Sequence, residues 1–78
     1  MSPKKPKSTA NVALGAAARA LRAERGLAQE ALAKRAEIDR SYYGAIERGE
    51  FNVSLETLVK VAMALEVSAA ELLERAEL

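Results

Sequence analysis

The segment Arg40–Arg48 reads RSYYGAIER. Wound as an α-helix, it turns Tyr43, Ile46 and Glu47 one way and Arg40, Ser41, Gly44, Ala45 and Arg48 the other, with Tyr42 at the edge. The first face suits a core. The second offers two guanidinium forks, a hydroxyl and little bulk. Arginine donors match paired acceptors on guanine or a phosphate, and serine both donates and accepts. Gly44 in mid-helix costs about 1 kcal/mol relative to alanine, which points to a need for smallness, such as the close approach of another surface. The chemistry is recognition by hydrogen bonding, and duplex DNA is the partner that suits it best. Catalysis has no comparable support. The chain has no His and no Cys, which removes the commonest general base and every thiolate ligand or nucleophile. With no Gly-rich phosphate loop and no convergent carboxylate pair, no enzyme, metal or cofactor is expected.

The elements that must position this face follow from apolar spacing and punctuation. A first helix is expected over about Asn11 to Arg25, with Leu14, Ala18 and Leu21 on one side, and Gly26 ends it. A second is expected over Gln29 to Ala36. Leu27 and Leu32 have the spacing of a hydrophobic staple around Ala28, itself a poor cap. Asp39 caps a third helix, Arg40 to Arg48, which ends at Gly49. Ser54 caps a fourth, Leu55 to Leu65, whose stripe is Leu55, Leu58, Val59, Ala62 and Leu65 or Met63. Ser68-Ala69-Ala70-Glu71 has the capping-box pattern and opens a fifth helix, Ala69 to Arg75. No segment has strand periodicity. The expected fold is a compact all-α domain over residues 11–78.

Composition sets the bounds. Seventy-eight residues support one modest core, and half of them are apolar, yet only Tyr42, Tyr43 and Phe51 are aromatic. No apolar run approaches the ~20 residues needed to span a bilayer, and the basic N-terminus lacks the apolar region of a secretory signal. A cytoplasmic protein is expected. The net charge of +1 is unevenly spread: residues 1–36 hold eight cations against two acids, residues 37–78 four against nine. One end suits a polyanion and the other does not. Residues 1–10, MSPKKPKSTA, read as a flexible basic arm.

The order Leu27, Gln29, Glu30, Leu32, Ala33, a turn, Ile38, Arg40, Ser41, Tyr42, Ile46, Glu47, Arg48, Gly49, Asn52, Ser54, Leu55, Leu58 resembles the Cro/repressor-type helix-turn-helix family (XRE-like). The likeness covers about residues 12–75. Within the family the chain is most similar to the controller proteins of restriction–modification systems, which often read Asp-Arg-Ser/Thr-Tyr before Ile-Glu-Arg-Gly and Asn-Val-Ser after it. The resemblance implies a five-helix lambda-repressor-like domain whose third helix enters the major groove. It places Arg40, Ser41, Tyr42 and Ala45 at base edges. Gln29, Arg48, Asn52 and Ser54 fall to the DNA backbone, and Arg22 with Glu47 to an ion pair joining the first helix to the third. Tyr43 takes the position of a buried isoleucine. There are two departures. Phe51 stands where related controllers often carry Arg or Lys, so an operator sequence does not transfer. Glu37 stands where family turns often carry Gly; the expectation is a turn that avoids the left-handed conformation, or a small cost.

The resemblance also implies a homodimer on a near-palindromic operator, in a bacterial or phage-encoded regulator associated with the nucleoid, with RNA polymerase as a further partner. Leu65, Val67, Leu72 and Leu73 are apolar beyond the needs of one small core and are the expected dimer interface. Other readings are a phage-type repressor or antitoxin of the same fold, and a protein-interaction helical module that does not bind DNA.

Overall fold

The computed structural model describes residues 8–78, which form five α-helices: α1 (Thr9–Glu24), α2 (Gln29–Ala36), α3 (Arg40–Glu47), α4 (Leu55–Ala64) and α5 (Ala69–Arg75). The basic arm falls mostly on residues 1–7, outside the described residues. Its last part is helical, because the Ser8 side chain accepts from the Asn11 amide and starts α1 two residues earlier than expected. α2 and α5 have the expected bounds, and α1, α3 and α4 each end one residue early.

Local chemistry accounts for the ends. Asp39 accepts from the Ser41 amide, Ser54 from the Thr57 amide, and Ser68 with Glu71 closes a full capping box. Ala28 offers α2 no side-chain cap. After α2 the chain takes the left-handed conformation at Glu37, with φ 58° and ψ 42°, and Ile38 N–H donates to the Ala33 carbonyl at 3.0 Å. Of the two outcomes expected at Glu37, the turn takes the costly one. Closing the carbonyls of α2 outweighs the Cβ crowding.

The core joins Leu14, Ala18 and Leu21 of α1, Leu32, Ala33 and Ala36 of α2, Tyr43 of α3, Val61 and Ala62 of α4, and Leu65 and Leu72. α1 packs on α3 and α5, α2 on α3 and α4, and α4 on α5. Two expectations are corrected here. Leu65 and Leu72 are fully buried in the protomer and are not available to a dimer interface; Val67 and Leu73 are partly buried against the same core. On α4, Leu58, Val61 and Ala62 face inward, while Leu55, Val59 and Met63 are exposed. The expected stripe is right at Leu58, Ala62 and Leu65 and wrong at Leu55 and Val59, because Val61 rather than Val59 completes the inward row.

α1 and α3 cross without side chains between them. A Cβ on Gly15 would collide with the Ile46 and Glu47 carbonyl oxygens. Gly49, at φ +74°, needs its missing Cβ twice: for its backbone and because Val12 Cα would lie 2.8 Å away.

Candidate nucleic-acid interface

The helix α3 is held by a polar cluster on its inner side. Arg22 of α1 reaches Glu47 with both arms of its fork, Nε to Oε2 at 2.6 Å and Nη2 to Oε1 at 3.0 Å, and its Nη1 donates to the Leu27 carbonyl at 2.8 Å. Gln29 of α2 donates to the same Glu47 Oε1 at 2.9 Å. Three helices therefore meet on one carboxylate whose side chain is only 3% exposed. Burial alone would raise the pKa of Glu47, but the bonds from Arg22 and Gln29 outweigh it, and the carboxyl lies below its usual range. The bond to Glu47 raises the pKa of Arg22 in turn. The Tyr43 hydroxyl is buried and, beside the carboxylate, its pKa is raised.

Arg40 and Ser41 are exposed at the start of α3, and Tyr42 is half-buried. Asp39 fixes the first turn through the Ser41 amide at 3.0 Å, so the Arg40 and Ser41 side chains leave from a rigid position. Ala45 does not join them. It is 4% exposed, and its expected place at a base edge is corrected: the protomer itself buries the residue, whose carbonyl accepts from Glu50 N–H at 3.0 Å. Gly44 is likewise buried, and the surface that comes close to it is internal. A Cβ there would lie 3.3 Å from Arg48 Nη1 and 3.4 Å from Gln29 Oε1. The small residue makes room for Gln29 on its way to Glu47.

The remaining candidates all have partners within the chain. Arg48 is exposed, and its fork lies on Glu50, with Nε to Oε2 at 2.9 Å and Nη2 to Oε1 at 3.2 Å. Asn52 accepts from Asn11 Nδ2 at 2.7 Å, tying the loop to α1. The Ser54 hydroxyl is engaged at the start of α4, accepting from the Thr57 amide at 3.1 Å and donating to the Thr57 hydroxyl at 3.0 Å. Sequence reasoning missed Asn11, Val12, Gly15 and Glu50. Of these only Gly15 gave a local signal, as a glycine in the alanine-rich run ALGAAA. Among the described residues no group of His, Cys, Asp or Glu is arranged to hold a metal ion, and no helix is long and apolar enough to cross a membrane.

Comparison with known proteins agrees with this architecture. A helix-turn-helix family model, HTH_3, matches residues 19–72. A hypothetical transcription factor of Neisseria meningitidis is 42% identical over 55 residues, which cover 70% of this chain and 52% of the relative. Control protein C.SmaI of Serratia marcescens is 47% identical over 49 residues, 63% of this chain and 58% of the relative. The chain thus spans little more than half the length of these curated relatives. The crystal structure of the restriction–modification controller protein C.AhdI from Aeromonas hydrophila superposes with a TM-score of 0.81 at 45% identity, over 83% of this chain and 98% of that one. With α2 and α3 as its two central helices, the chain belongs to the helix-turn-helix family, in its Cro/repressor (XRE) type.

Proposed function

We propose that the chain is a sequence-specific DNA-binding transcription regulator, a homodimer on a near-palindromic operator, and of the restriction–modification controller kind. The observation that carries this reading is the division of α3. Its inner side is locked by the Arg22–Glu47–Gln29 cluster, and its first turn presents Arg40 and Ser41 to solvent. A recognition helix needs that combination, because base edges are read at its N-terminal end and a displaced helix reads the wrong edge. Arg40 takes the guanine-reading role, with Ser41 and Tyr42 beside it. Gln29 and the first-turn amides of α2, which Ala28 leaves without a side-chain cap, face a phosphate. Arg48, Asn52 and Ser54 line the same strand from the loop. The resemblance to control proteins supports a regulator whose operators lie upstream of its own gene and a restriction endonuclease gene, with RNA polymerase as the machinery it acts upon and the cytoplasm as its location.

The dimer surface in this reading is Leu55, Val59 and Met63, one exposed row of α4, with Leu55 74% and Met63 71% exposed. Val67 and Leu73 flank the core behind it. Two linked protomers read half-sites about 34 Å apart, one turn of the duplex.

Selection from a random DNA pool tests the proposal. The expected outcome is a near-palindrome. Arg40→Ala relaxes one base pair in each half-site, by about 1–3 kcal/mol of discrimination. A pool with no enriched sequence sinks the reading.

A further inference from the structure

Phe51 is an exposed ring in a region otherwise occupied by partnered polar groups. It is 49% exposed and meets Tyr42 edge to face, with ring centroids 5.6 Å apart and an interplanar angle of 63°. The path of the chain explains the contact. Gly49 N–H donates to the Ile46 carbonyl and Glu50 N–H to the Ala45 carbonyl, both at 3.0 Å, so the chain turns sharply at the end of α3. The next residue, Phe51, thereby meets Tyr42, the neighbour of Ser41 in the sequence. The tether from Asn11 to Asn52 at 2.7 Å fixes the loop on its far side. Edge-to-face geometry holds both rings in orientation, and half of the Phe51 surface remains in water.

We infer that Phe51, braced by Tyr42, is a specificity-determining residue that contacts the C5-methyl group of a pyrimidine in the major groove. The inference rests on the DNA-binding reading above. A phenyl ring has nothing to offer a phosphate. The neighbouring charge is already matched, with the Arg48 fork on Glu50, so the loop brings an apolar surface to the groove. The C5-methyl group is the one apolar group that base edges display there, and Phe is among the side chains suited to it. Thymine carries this methyl group, and so does 5-methylcytosine.

The test uses the full chain and the duplex it selects. Each thymine is replaced in turn by deoxyuridine, which removes only the methyl group, and binding is measured for the wild type, Phe51→Ala and Phe51→Leu. At one position per half-site, deoxyuridine should weaken the wild type about fourfold, the worth of one buried methyl group. Phe51→Ala should lose that sensitivity and Phe51→Leu should keep part of it. In a parallel arm each cytosine becomes 5-methylcytosine. A methyl-dependent gain present in the wild type and absent in Phe51→Ala assigns the contact to a methylated cytosine, and a thymine position that responds assigns it to thymine. Equal responses of wild type and Phe51→Ala at every position in both arms overturn the inference while leaving sequence-specific binding intact. Equal binding to every duplex overturns both readings. Circular dichroism melting of each variant confirms that the exposed position tolerates the change.

Discussion

The two halves of the domain are held together in different ways. Where α1, α2 and α3 meet, backbone lies on backbone at Gly15, and one buried carboxylate collects hydrogen bonds from Arg22 and Gln29. Where α4 and α5 close the domain, the buried contacts are aliphatic, the ion pairs Arg75–Glu24 and Arg25–Glu66 lie at the rim, and a row of apolar side chains is left outside. The contrast teaches a division of labour. Directional bonds place α3 accurately, since hydrogen bonds weaken steeply with angle. Apolar area is non-directional, and it suits a region whose task is to close a core and to adhere.

The largest effect is expected where that contrast is broken from the polar side. Glu47→Ala leaves the Arg22 guanidinium, only 15% exposed, without its counter-charge, and should cost about 4 kcal/mol in urea unfolding. Glu47 titrates lower in the folded chain than in the unfolded one. Its contribution is therefore present above the unfolded value and is lost as pH falls through the lower, folded one, where protonation breaks the bonds from Arg22 and Gln29. Glu47→Gln should flatten this acid limb. Replacing the pair together, as Arg22→Met with Glu47→Leu, should recover most of the stability but not sequence-specific binding, which separates placement from stability. A double variant that bound its operator normally would refute the division.

On the apolar side, Leu55→Glu with Met63→Glu should raise the dissociation constant of the proposed dimer about a hundredfold, which corresponds to the loss of about 3 kcal/mol of buried apolar surface. Sedimentation equilibrium reads this directly, and the thermal stability of the protomer should hardly change. A smaller loss, about 2 kcal/mol, is expected for Gly15→Ala. Elsewhere in a helix that change is favourable; here the added methyl group pushes α1 off the Ile46 and Glu47 carbonyls. The smallest effect has the opposite sign. Glu37→Gly relieves a left-handed backbone and should add about 0.5 kcal/mol after the entropy of the unfolded chain is counted, or a rise of about 2–4 °C in melting temperature.

The helices were legible because their signals are local. Leu14, Ala18 and Leu21 repeat at helical spacing, and Asp39, Ser54 and Ser68 cap the helices that follow them. The inner side of α3 was legible at Tyr43, Ile46 and Glu47. What failed depends on segments distant in sequence. Ala45 looked open on a wheel of α3 alone, but the folded protomer buries it. Leu65 and Leu72 looked surplus, yet both are needed to fill the core against α1 and α2. Gly44 looked like a place for a partner, and the neighbour is Gln29 of the same chain. Spacing along one helix states which residues share a face. It does not state what another segment lays against that face.

In α3 the residues that meet solvent, Arg40 and Ser41, stand together in the first turn, and those that anchor the helix follow from Tyr43 to Glu47. For the evolution of new targets this separation has a definite consequence. If Arg40 and Ser41 read the bases as proposed, exchanging them leaves Tyr43, Ile46 and Glu47 in place, so a lineage can search many operators while its scaffold stays fixed. The number of substitutions separating one target from another is then small, and the intermediates along the way remain folded.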